Sequence, residues 1–283
     1  MSPLHKYWSL FKRAGQSWSA DNASTMGAAL AFYSAFALAP LLLILSAVAG
    51  LVFGAVEARR ALLAQTQQLI GPIGSEAVQH LLEQTARAST GVAATAIGLA
   101  LLLVGASSVM LELQRDLDLI WRAPPRDPNR PFWGLVRARL SAFVLILAFG
   151  FVLLVSLIAG TALNALVHES ALFAEHSLLL RSLHLGVTLI VFSLLFAMLF
   201  KWLANVRLGW RDVWRGALVT SLLFTVGQLG IGYYLGHSTT TSAYAAAASL
   251  LVLLLWLYYA SQIFLFGAEF IGAYIQVHGH EGR

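Results

Sequence analysis

The chain has 283 residues, 59% of them hydrophobic and 11% charged, with a net charge of +5 and a mean hydropathy of +0.75. A soluble domain carries about 25% charged residues, so this balance excludes an ordinary water-soluble enzyme and points to a polytopic membrane protein. No cysteine is present, which excludes disulfides, thiol catalysis and Cys-based metal or iron–sulfur centres.

Residues 1–25 read as a cytoplasmic interfacial helix. Leu4, Tyr7, Trp8, Phe11 and Trp18 fall near one helical face, with Lys6, Lys12 and Arg13 around the rest. The segment lacks the apolar core and cleavage pattern of a signal peptide. From 26 to 54 the chain carries no formal charge, and at 1.5 Å per residue it is long enough to cross about 30 Å of hydrocarbon. Gly27, Ala28, Ala31, Ser34 and Ala35 suit close helix packing. Pro40 removes a backbone donor in mid-run, which predicts a kink facing protein or a cavity.

Residues 57–90 lose continuous hydrophobicity and read as a helical hairpin on the outer membrane surface. Gly71–Gly74 forms its turn and Ser75 caps the second arm. Five further spans follow at about 91–110, 136–166, 183–204, 214–236 and 244–275, with a tail at 276–283. The second span continues into an amphipathic charged stretch, 111–122. The proline-rich loop 124–131 then resets direction. The fold class is thus all-α: a 26–275 membrane domain of six transmembrane helices plus amphipathic interfacial helices. Six spans put both termini on one side, which carries fourteen of the 18 Lys and Arg residues. The positive-inside rule makes that side cytoplasmic.

Glu269 is the sharpest candidate for chemistry, because an ionisable group inside a span costs several kcal/mol, on the order of the insertion scales, unless paired or wet. Tyr258, Gln262 and Glu269 share one helical face. An ion pair with Arg122, Arg211 or Arg215, a proton- or substrate-coupling role, and snorkelling to headgroups all remain open for it. Gln228 in the fifth span needs a polar partner on another helix or in a wet cavity, and Tyr33 and Pro40 complete the coupling candidates. Arg126, Arg130, Arg137 and Arg139 form a basic collar suited to anionic headgroups, joined by Arg211 and Arg215.

Asp116 and Asp118 look like a paired-carboxylate metal motif. On a helix, however, they point about 200° apart, and an interfacial ion-pair network of Glu112, Asp116, Arg115 and Arg122 fits better. His168, His176 and His184 are too loosely placed to predict a metal site. The expected metal and cofactor content is none. No P-loop, GxSxG or HExxH motif occurs, so no enzymatic activity is expected. Nucleic-acid binding is not expected either, because the basic residues are split among short loops rather than gathered in a groove.

The stretches GAALAFYSAFALAPLLLILSAVAGLVFG (27–54), LELQRDLDLIWR (111–122), WRDVWRGALVTSLLF (210–224) and SLLVLLLWLYYASQIFLFGAEF (249–270) together resemble the YihY/BrkB family of bacterial inner-membrane proteins. The similarity runs over nearly the whole chain. It implies a six-span inner-membrane protein of the cell envelope, linked in relatives to envelope integrity, serum resistance or lipid export. An older ribonuclease label carried by relatives does not fit a chain with no soluble catalytic domain. The chain departs from the family pattern at Ala204 and Asn205, where a proline and an acidic residue are common, and at Ala245 and Ala248, where glycines are favoured. Alanine there stiffens the start of the last span.

The expected function is movement or handling of a lipid or lipid-linked envelope precursor without an ATPase of its own. The structural expectation is a cavity between the first, fifth and sixth spans. The alternative is an envelope scaffold or adaptor that binds protein partners through 57–90. Membrane lipids are the expected partners. Gly50–Gly54 and Gly232–Gly236 permit a homo-oligomer.

Overall fold

The computed structural model describes residues 3–88, 92–124, 177–203, 205–206, 208–236 and 245–278. The described residues form seven helices: α1 (Pro3–Ala20), α2 (Ala23–Phe53), α3 (Ala55–Ala88), α4 (Val92–Ile120), α5 (Ser177–Leu203), α6 (Trp210–Gly236) and α7 (Ala245–His278). The span expected at 136–166, the loop 124–131 beyond Pro124, and the collar arginines Arg126, Arg130, Arg137 and Arg139 lie outside the described residues, as does His168. α2 is helical through Pro40 as a single element.

α7 is the hub. It packs against α1, α2, α3, α4 and α6, while α5 packs chiefly on α6. The main core gathers Phe196, Phe200, Phe224 and Phe264 with Leu117 and Ile271, their rings meeting at centroid distances of 4.9–6.5 Å.

The distribution of polarity is inverted relative to a soluble bundle. Ser193, Thr220, Ser221 and Thr225 are buried, whereas Leu218, Leu222 and Val226 form an exposed stripe on α6 and Ile190 and Leu194 another on α5. Ser193 and Ser221 hydroxyls bond across α5 and α6 at 2.7 Å. Large apolar side chains outside and small or polar ones inside suit a lipid surround, where helices gain by close backbone approach rather than by hiding leucines. Among the described residues two stretches, Leu185–Leu203 and Leu250–Val277, are long and apolar enough to cross a membrane, and Ala23–Leu38 is a shorter apolar helix.

α1 is held by contacts within the bundle. It docks on α7 through Leu10 and Ala14, which bury against Phe270 and Ala273, with the Phe11 ring 5.2 Å from that of Phe270. Tyr7 and Trp8 stay exposed. The packed face keeps Phe11 and Trp18 of the predicted one and adds Leu10 and Ala14.

α3 doubles back on itself. Arg59 pairs with Glu83 at 2.9 Å, although 24 residues of straight helix would span about 36 Å. The Ser75 hydroxyl donates to the Leu63 carbonyl at 3.3 Å and accepts from Thr66 at 3.4 Å, so Ser75 ties the two arms together instead of capping one. The hairpin also packs on the bundle: Val78 and Leu82 bury against Leu42 of α2 and Leu253 and Leu257 of α7, beside the middle of α2 and the apolar start of α7.

Candidate functional site

Along α7, Tyr258, Gln262 and Glu269 point at α2 and the turn before it, as their spacing predicts. Tyr258 packs against the α2–α3 cluster. The Gln262 Nε2 donates to the carbonyls of Ala23 and Ser24, each at 3.3 Å. Its amide lies where any side chain at Gly27 would have to stand, so glycine at 27 is what admits it. Glu269 is 3% exposed, and its Oε1 is buried without a hydrogen-bond partner.

The group facing Glu269 is a carboxyl. Asp21, in the turn between α1 and α2, contacts Glu269 side chain to side chain. On its other flank Asp21 accepts from Arg122 at 2.7 Å, its own side chain 8% exposed against 69% for Arg122. The sequence-based alternatives for Glu269 included a direct ion pair with Arg122, Arg211 or Arg215. The structure interposes Asp21 instead, which takes Arg122 for itself. Arg211 is exposed, and Arg215 is directed to Tyr274, whose hydroxyl it meets and over whose ring it lies at 4.8 Å.

Asn22 and Arg122 are left-handed, with φ of 55° and 51°, and they are the non-glycine residues of positive φ among those described. Both sit at this knot. Asn tolerates that region, whereas for Arg122 it costs about 1–2 kcal/mol, so the contacts at the end of α4 must hold Arg122 there. Trp121 adds a direct tie, its indole donating to the Ala268 carbonyl at 2.9 Å.

The opposite face of α7 is apolar and tight. Side chains added at Gly216 and Gly227 of α6 would overlap Ile271 and Tyr259, and one added at Gly267 of α7 would meet the Thr220 Cβ at 3.0 Å and the Phe200 ring at 3.2 Å. These pairings advance in opposite directions along the two helices, so α6 and α7 run antiparallel in near-contact from Gly216 to Gly227. The cavity expected between the first, fifth and sixth spans therefore does not open along this seam, because glycines bring the two backbones too close for an acyl chain. Gln228 is half-buried just past the seam and is engaged with a neighbour. Tyr33 is half-buried beside the Phe32 ring, 5.9 Å away, remote from the knot.

On α4, the expected ion-pair network is only partly formed. Arg115 approaches Glu112 at 3.7 Å, but Asp116 is 2% exposed and its Oδ2 has no partner. Burial, and after it the Glu112 carboxylate, pushes the Asp116 carboxyl up to about 7, with Arg115 acting in the opposite sense. Asp116 points inward because it shares the helix face of the buried Ile120, four residues on. No group of three or more metal-ligating side chains occurs among the described residues.

A family model described as virulence factor BrkB matches residues 14–283. The chain belongs to the BrkB family. This BrkB-family chain is 28% identical over 179 residues to UPF0761 membrane protein RSc1559 of Ralstonia nicotianae, covering 62% of the chain and 38% of that protein. It is 29% identical over 206 residues to a UPF0761 membrane protein of Alkalilimnicola ehrlichii, covering 71% and 44%. It is 31% identical over 180 residues to UPF0761 membrane protein Mpe_A1422 of Methylibium petroleiphilum, covering 63% and 41%. The aligned part of this BrkB-family chain thus spans about two fifths of the length of these curated relatives. No solved structure matches it. The relatives' description as membrane proteins agrees with the outward apolar stripes of α5 and α6, and the BrkB-family chain is a membrane protein.

Proposed function

We propose that this protein moves or handles a lipid or lipid-linked envelope precursor in the bacterial inner membrane, as a six-span transporter-class protein with both termini cytoplasmic and no ATPase or other enzymatic step of its own. One observation carries the reading: a buried carboxyl, Glu269, stands inside an apolar helix and is engaged by a second carboxyl from the turn at Asn22. Structural ion pairs rarely need this arrangement, whereas coupled transport uses membrane-embedded carboxyls routinely. The doubled-back α3 supports the same reading from the other end. Its arms pack beside the middle of α2 and the apolar start of α7, and Tyr258 and Gln262 lie on α7 between hairpin and knot.

The decisive experiment reconstitutes the full chain with headgroup-labelled phospholipid and quenches the outer leaflet chemically. Wild type should expose more label than empty liposomes, and Glu269→Gln should reduce that excess at least several-fold. Wild type indistinguishable from empty liposomes would sink bulk-phospholipid movement. A second reading, an envelope scaffold, draws support from the close α6–α7 seam, which makes that half of the bundle rigid. It expects no label exposure and a protein partner bound at the hairpin.

A further inference from the structure

We infer that Asp21 and Glu269 form a proton-binding site, one proton held between the two carboxyls, that fastens the α1–α2 turn to α7. The Oε1 of Glu269 is buried and no N–H or O–H among the described residues reaches it, while the polar group against the Glu269 side chain is the Asp21 carboxyl. Ionised carboxylates only accept hydrogen bonds, so two of them face to face repel. A single proton turns one into a donor and supplies the missing bond.

The charge balance agrees. From the α1–α2 turn comes Asp21, and from beyond α4 comes Arg122, which acts on Glu269 across Asp21. From α6, Arg215 is taken up by Tyr274, more than a turn further along. Lys12 and Arg13 of α1 are exposed. On α3, Arg59 and Glu83 pair with each other within the hairpin. Lys201 of α5 donates to the Leu208 carbonyl at 2.5 Å. Two carboxylates and one guanidinium carry a net charge of −1, and one bound proton brings the knot to neutrality, the state an apolar surround favours.

Release of that proton to water, on the side of the exposed Arg122, leaves two anions competing for one cation. Asp21 keeps Arg122 and loses its bond to Glu269, and the turn that carries it moves off α7. Proton occupancy therefore decides whether the start of α2 is clamped to α4 and α7. This deepens the transport reading by naming its coupling ion. Its readouts need no cargo, so failure of lipid movement and failure of the proton site are separable.

The test uses the reconstituted full chain, which is free of cysteine by nature. Infrared spectra taken across a pH series should show a protonated-carboxyl C=O band at neutral pH that disappears on alkalinisation. Asp116→Asn should keep it, and Glu269→Gln and Asp21→Asn placed in that background, where Asp116 no longer titrates near 7, should each lose it. Spin labels on Ser24→Cys and Leu119→Cys should report a distance that lengthens as the band disappears, and that no longer responds to pH in either carboxyl variant. Absence of the band in wild type overturns the proposal, as does a pH-dependent distance that survives both substitutions. A distance that follows sodium at constant pH also overturns it, since the site would then hold a metal cation. With two independent variants, misfolding of one leaves the other to decide.

Discussion

Gly267 and Glu269 are two residues apart on α7 and meet opposite worlds. Gly267 faces α6 across a seam where Thr220 and Phe200 leave no room for a side chain, and Glu269 faces a turn that presents a second carboxyl. Two residues rotate about 200° around a helix, so one element carries both a permanent joint and a polar clasp. The joint is made by shape, with no charge and no strain. The clasp holds two left-handed residues and a buried acceptor without a donor. Of the two, only the clasp can respond to a change in the solvent.

Breaking the joint should have the largest effect. Gly267→Val should destabilise the folded protein by about 2–3 kcal/mol through overpacking, read as a lowered unfolding temperature in detergent. Thr220→Ala placed beside Gly267→Ala should unfold later than Gly267→Ala alone, because the wall facing the new methyl is thinner. Recovery without Thr220 being changed would mean that α6 and α7 slide rather than lock.

Asp116 probes titration away from the clasp. Its carboxyl is raised to about 7 in the folded protein from 3.8, so the folded state keeps a proton that the unfolded state loses. Stability should therefore fall as pH rises from about 4 through 7 and level off above. Asp116→Asn should flatten that slope, the advantage over wild type growing with pH in thermal melts from pH 4 to 8. Parallel slopes for the two proteins would show that Asp116 is hydrated after all.

At the clasp, function and stability should part. Glu269→Leu loses the bond to Asp21 but replaces a buried carboxyl by an apolar side chain and leaves Asp21 its Arg122 partner, so the two effects offset and stability should change by less than about 1 kcal/mol. Clear destabilisation would make Glu269 a structural group and weaken the contrast with Gly267. The smallest effect belongs to the hairpin tie. Arg59 and Glu83 are both substantially solvent-exposed, so Arg59→Gln should cost well under about 1 kcal/mol and the loss should shrink further as salt is raised.

Much of this architecture was legible in the chain itself. Periodicity and composition place the helices, because a lipid surround demands long uninterrupted apolar runs. The shared face of Tyr258, Gln262 and Glu269 follows from a period of 3.6 residues. The hairpin at 57–90 could be read from Gly71–Gly74 and the two amphipathic arms. Its burial beside α2 and α7 could not, because partial hydrophobicity suits a membrane surface and a groove between helices equally well. The same limit applies to α1, where the small Ala14 and Leu10 join Phe11 in the contact while Tyr7 and Trp8 stay outside.

The partner of Glu269 was the chief omission. Asp21 sits in a polar turn between two helices, where an acidic residue looks solvated, and lies 248 positions away in the chain. A signal existed in Asp21–Asn22, a turn pair tolerant of left-handed backbone, but nothing in it names the helix the turn meets. Sequence alone determined an all-helical, membrane-adapted, cysteine-free chain with one carboxyl deep in its last apolar helix, since these follow from composition and local period. Tertiary structure alone decided that the carboxyl faces another carboxyl, that Arg122 stands behind it, and that glycines seal α6 to α7. Those depend on how distant helices rotate about their axes, and that rotation is set by the packing of all of them together.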